Sequence, residues 1–77
     1  MSRNENQKKH WFCFSYKGEE IETGNNVSAC TYTGYLYREV TMNMIKENKK
    51  IAGLKENAVL IAVSYLGEMT RNEFVEN

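Results

Sequence analysis

The chain has no net charge, no aspartate, one histidine, two cysteines and no apolar run longer than "AVLIAV". Ten Lys and Arg side chains balance ten acids, every one of them glutamate. A general duplex-DNA binder needs a basic excess to displace counterions, so the balance argues against one. It argues equally against an acidic mimic of DNA. A six-residue apolar run is far short of the roughly 20 residues that span a bilayer, so no membrane crossing is expected. No apolar segment follows the polar "MSRNENQKKH", so no secretion signal is expected. That points to the cytoplasm, where Cys13 and Cys30 stay reduced. There is no Walker loop, no dinucleotide fingerprint and no Ser-His-Asp arrangement. At 77 residues there is room for one domain, and a chain this short hides only about 60% of its unfolded surface. Little of that core can be spared for a deep cleft, so an enzyme is the least expected class, and neither cofactor nor metal is expected.

What the chain does have is rings. "HWFCFSY" places five ring-bearing side chains in seven positions, residues 10–16. Their period of two reads as a strand, with His10, Phe12, Phe14 and Tyr16 on one face and Trp11, Cys13, Ser15 and Lys17 on the other. "KGEEIETGNN" is turn chemistry. "NVSACTYTG" alternates again, and the two strands form a hairpin. A symmetric turn pairs Lys17 with Asn26 and sets Cys13 opposite Cys30.

Thr41 is a helix N-cap before "MNMIKENKKIA", Lys46, Lys49 and Lys50 complement the helix dipole, and Gly53 is a C′ residue with Leu54 as its apolar contact. Met42, Met44, Ile45, Ile51 and Ala52 make the apolar stripe. "NAVLIAVSYLG" is a third strand, with Val59, Ile61, Val63 and Tyr65 on its larger apolar face. "TRNE" is a capping box that opens a short helix anchored by Phe74. The expected fold is therefore α+β in the order β-β-α-β-α: a disordered arm over 1–9 and a single domain over 10–77. Its three-stranded, mainly antiparallel sheet has the first strand central, one helix packed on one face and a short C-terminal helix. The third strand is apolar on both faces yet lies at an edge, where unpaired backbone invites a partner. Either the terminal helix covers it or a second chain does, which makes a homodimer through strand 58–66 or the uncovered sheet face an expectation.

"HWFCFSY" and "KKIAGLKENAVLIAVSYLGEMTRNEF" together resemble a group of small proteins carried by bacteriophages, prophages and other mobile elements. The shared features are an aromatic strand headed by Trp, a helix ending in Gly and a "VSYLGxMTxxEF"-like tail, over residues 10–75. The resemblance brings no catalytic residues. It implies a context in which small accessory proteins bind a host protein, including components of host defence.

Phe12 and Phe14 read as core, whereas Trp11, beside the smaller Cys13 and Ser15, reads as partly exposed. Trp and Tyr are the residue types that most often anchor protein interfaces, so Trp11, Tyr32, Tyr35 and Tyr37 are candidate partner-binding residues. Lys17 joins them from the uncovered face. Lys49 and Lys50, with Lys46 and Lys55, form a basic patch that either balances the helix dipole or docks an acidic group. His10 with Cys13 and Cys30 matches no zinc module, so the thiols read as buried packing residues and His10 as a solvated strand end. The expected function is non-catalytic binding of a host protein, inhibiting a host defence or host enzyme. Two alternatives stand beside it: single-stranded nucleic-acid binding by surface rings, and capture of a small nucleotide between two subunits.

Overall fold

The computed structural model describes residues 7–76. Along the chain run β1 (Lys9–Glu19), β2 (Asn26–Tyr35), α1 (Met42–Ile51), β3 (Val59–Met69) and α2 (Arg71–Glu76). The strands make one antiparallel sheet in the order β2-β1-β3. The architecture is thus α+β with the expected element order and the expected central strand. Of the arm expected over 1–9, residues 1–6 lie outside the described residues, and Lys9 is already paired with Met69. No helix among the described residues is long and apolar enough to cross a membrane.

Alternation along β1 turns Phe12, Phe14 and Tyr16 into the core, where they meet Met44 of α1 together with Leu54 and Ala58. Burying each large apolar side chain contributes roughly 2–3 kcal/mol. Tyr16 spans the layer and donates to the Ile45 carbonyl at 2.6 Å; burial pushes its hydroxyl above the ordinary tyrosine value. Thr41 caps α1 as expected, its Oγ1 accepting from the Met44 amide at 3.2 Å. The Met44 sulfur accepts in return from the Thr41 amide. At the other end Gly53, with φ +75°, is a left-handed C′ residue. The Gly53 amide donates to Lys50 and the Leu54 amide to Lys49, which closes the last turn as a Schellman motif and drops Leu54 into the core. The apolar stripe differs from expectation. Met44, Ile45 and Ala52 face the sheet, but Met42 and Ile51 are exposed. Asn48 stands in the stripe instead, fully buried.

The hairpin register is two residues away from the symmetric-turn expectation. Lys17 pairs with Ser28, Cys13 with Tyr32, and Cys30 with Ser15. Pairing continues to Glu19 and Asn26, because the turn closes tightly within Glu20–Asn25. The Glu20 amide donates to Asn25, the Gly24 amide to Glu20, and the Thr23 hydroxyl to the Glu20 carboxylate. A shift of two keeps every side chain on its expected face. The far end of β1 is also tied to the segment after α1: Lys55 donates to the Glu19 carbonyl and Ile21 to the Gly53 carbonyl.

β3 departs further from expectation. Its ladder with β1 slips between Trp11 and Phe12 and again between Ser15 and Tyr16. Each slip is a bulge that gives β3 one extra residue and reverses which side chains face inward. Tyr65 and Val63 lie opposite Phe12 and Phe14, but Leu60, not Ile61, lies opposite Tyr16. The expected face of Val59, Ile61, Val63 and Tyr65 is therefore broken in the middle. Ile61 sits at the bulge with 61% of its surface exposed, and Val59 is 59% exposed.

Candidate interaction surface

The face of the sheet away from α1 carries Trp11, Cys13, Ser15 and Lys17 from β1. Tyr32, Cys30 and Ser28 flank them on β2, and Ser64, Ala62 and Val59 on β3. Trp11 was expected to be partly exposed; it is only 8% exposed. Phe74 of α2 stacks on it with centroids 4.2 Å apart and planes within 4°. The indole nitrogen donates to the Met69 carbonyl at 3.0 Å. Trp11 is flanked by Gly34 on β2 and Gly67 on β3, and a Cβ at Gly34 would come within 2.9 Å of the indole. The ring thus lies against Gly34 and beneath a phenylalanine. Phe74 is the anchor expected of it, and "TRNE" is the expected capping box: Thr70 N donates to the Glu73 carboxylate at 2.8 Å and Glu73 N to Thr70 Oγ1 at 3.1 Å.

That cap makes α2 acid-sensitive. The Thr70 amide holds the Glu73 carboxyl below its ordinary value. A carboxyl depressed in the folded state adds stability that is present above its unfolded pKa and is lost as pH falls through the folded one. Acidification through the depressed Glu73 pKa, below the ordinary glutamate range, is therefore expected to release α2 before the sheet unfolds. Trp11 emission should shift to the red while far-UV circular dichroism keeps its strand signal, and Glu73→Gln should abolish the step. A single transition seen by both probes would refute it.

The other sequence-selected residues do not gather at one place. Lys17 is exposed on the open face, and so is Tyr32, whose ring centroid is 6.1 Å from that of Phe74. The Tyr32 hydroxyl is held above its ordinary pKa by Cys30, its hydrogen-bond partner, and then by Cys13. The thiols are not the buried pair expected: Cys13 is half-buried and Cys30 exposed, because this face has no covering layer beyond α2. Tyr35 belongs to the opposite face. It donates to Glu47 at 2.7 Å and accepts from the Asn48 amide at 2.8 Å. Burial, followed by the Glu47 hydrogen bond, pushes its hydroxyl up to about 12. Its hydroxyl is thus engaged by two side chains of α1. Lys49 is occupied by the Glu56 carbonyl at 3.0 Å, and Lys50 lines a depression with Lys46, Leu54 and Glu56. Among the described residues no three His, Cys, Asp or Glu side chains gather as a metal would require.

A different cluster emerges at the end of the sheet where β2 leads into α1. A row of rings, Tyr35, Phe12 and Tyr65, crosses the three strands with centroid separations of 6.5 and 5.4 Å. Arg38 lies 4.6 Å above the Tyr65 ring, and His10 Nδ1 is 2.9 Å from the Tyr65 hydroxyl. Around this fixed row, Leu36, Tyr37, Val40 and Met42 turn outward, with Tyr37 70% exposed. Of these only Tyr37 was singled out by sequence reasoning. Arg38 and Tyr65 come together through a contact between a loop and the far strand, which no local pattern announces. Tyr, Arg and Met are residue types enriched at protein interfaces in general. Comparison with family models, with curated proteins and with solved structures finds no match.

Proposed function

We propose that the chain is a non-catalytic accessory protein of the phage or mobile-element kind, acting by binding a host protein. A defence component or a host enzyme is the class of partner. The observation that carries this reading is the exposed set Leu36, Tyr37, Val40 and Met42 beside the Arg38–Tyr65 stack. Single exposed apolar residues are ordinary on a soluble protein. Four within seven positions of one loop and helix start, next to a pre-ordered Arg, are not. The single-stranded nucleic-acid reading has less support, since Trp11, its chief stacking group, is already stacked against Phe74.

The test is affinity purification of the full chain from cells that encode it, beside a Leu36→Ser/Tyr37→Ser variant. Both positions are exposed, so the variant should keep its circular dichroism spectrum. Loss of an anchoring tyrosine costs about 2 kcal/mol of binding, or roughly 30-fold in affinity. A host protein held by the native chain and lost with the variant supports the reading. Capture of nothing, or equal capture by both, defeats it.

A further inference from the structure

The two cysteines of the chain meet on the sheet face away from α1. The β1–β2 ladder sets Cys13 opposite Tyr32 and Cys30 opposite Ser15, so the four side chains form a square with the thiols at diagonal corners. Each sulfur borders a hydroxyl on its own strand. Cys13 Sγ is 4.0 Å from Ser15 Oγ, and Cys30 Sγ is 3.9 Å from the Tyr32 hydroxyl. That same hydroxyl has its pKa raised by Cys30 and then by Cys13, which gathers both sulfurs around one oxygen. The square is open to solvent, with Cys30 exposed, Cys13 half-buried and Tyr32 exposed.

We propose that Cys13 and Cys30 are the two ligands of a soft-metal site, and that Cu(I) is the ion it takes. Reach separates this chemistry from a disulfide. Diagonal neighbours of an antiparallel pair have Cα atoms about 7–8 Å apart, beyond the roughly 6.8 Å limit of an ordinary disulfide. A bridging ion asks less, because two metal–sulfur bonds of about 2.3 Å let the sulfurs stand about 4.6 Å apart. The donor set then selects the ion. Among the described residues no third His, Cys, Asp or Glu joins the pair, and His10 is bonded to Tyr65 on the opposite face. Zinc asks for four ligands, and calcium and magnesium for oxygen donors. Cu(I) is the thiophilic ion that two thiolates satisfy in linear coordination. It replaces both thiol protons, so binding releases two protons and strengthens as pH rises. Two thiolates around a monovalent cation leave one negative charge, and Lys17 is exposed on this face one pair beyond Ser15–Cys30. The Ser15 and Tyr32 hydroxyls are placed to donate to the thiolates from outside the metal bonds. The site does not rest on the host-protein reading, since the Arg38–Tyr65 stack lies on the Phe12 side of the sheet.

The test is an anaerobic titration of the reduced full chain with Cu(I), supplied as its acetonitrile complex in competition with the chelator bicinchoninate. Expected is one copper per 9.0 kDa chain, with an ultraviolet thiolate-to-metal charge-transfer band. Both thiols should then resist alkylation by iodoacetamide, and Zn(II) in place of Cu(I) should protect neither. Cys13→Ser and Cys30→Ser should each lose the copper to the chelator while keeping the circular dichroism spectrum of the native chain. Four results overturn the proposal: copper left on the chelator, one copper per two chains, equal protection by zinc, or undiminished binding by either serine variant. The alkylation assay uses the native chain alone, so it decides the matter even if a variant fails to fold.

Discussion

Replacing Asn48 with alanine is expected to cost about 3–5 kcal/mol, most of what a chain of this size has to lose. Asn48 is 0% exposed and uses its whole amide. Its oxygen accepts from the hydroxyls of Thr31 and Thr33, and its nitrogen donates to the Tyr35 hydroxyl and the Met44 carbonyl. Among the described residues no buried side-chain polar atom lacks a partner, so the network is complete as it stands. Alanine leaves the threonine hydroxyls without their acceptor, at about 1–3 kcal/mol for each buried orphan, and opens a small cavity. Urea denaturation checks it: with a slope near 1 kcal/mol per molar, the midpoint should fall by about 3 M or the chain should be unfolded in buffer. Adding Thr31→Val should recover part of the loss, since it removes one orphan. A fall below about 1 kcal/mol would show that water replaces the amide and that the network holds less than its geometry suggests.

Gly18→Ala should be nearly as damaging, for a steric reason. A Cβ at Gly18 would lie 2.4 Å from the Ala58 Cβ and 2.7 Å from its Cα. Part of the obstacle is backbone, and neither it nor the Ala58 Cβ fixed to it can swing aside as a side-chain tip would. Ala58 is itself in the core, and its amide donates a hydrogen bond to the Lys55 carbonyl at 3.0 Å. Overpacking of this kind costs about 1–3 kcal/mol, and the short distances place it at the upper end. In a thermal melt this is a fall of roughly 10–20 °C for a domain of this length. Ala58→Gly in the same chain should restore only part of the loss, because the contact with the Cα survives it. Full restoration would locate the clash in the side chain alone, and an unchanged melting temperature would mean the two segments separate freely.

Where local chemistry decides, the sequence was readable. Thr41, Gly53 and the "TRNE" box act through neighbours a few residues away, and each stands where expected. The alternation of β1 and β2 likewise sorts their side chains by face. What escaped was decided at a distance or by a count. The Ile61 and Leu66 bulges insert residues that periodicity alone does not mark, so half of β3 changed sides. Trp11 was buried by a ring 63 residues away. Tyr32 and Tyr35 were grouped although an odd spacing in a strand sends them to opposite faces, a signal present in the sequence and unused. Asn48 left its own trace as well: the apolar stripe skips from Ile45 to Ala52, and a polar side chain at the missing step is either an error or the hub of a network.

The sheet's middle member is the first strand to be synthesised, and its β3 neighbour is the last. On the ribosome, β1, β2 and α1 can assemble from nearby sequence, but one flank of β1 must wait for residues 59–69. The ladder that closes it joins parts of the chain separated by about 50 residues, the slow kind of contact. During that interval the nascent chain exposes a sticky central strand, and crowding or truncation at this stage would favour mispairing between neighbouring chains.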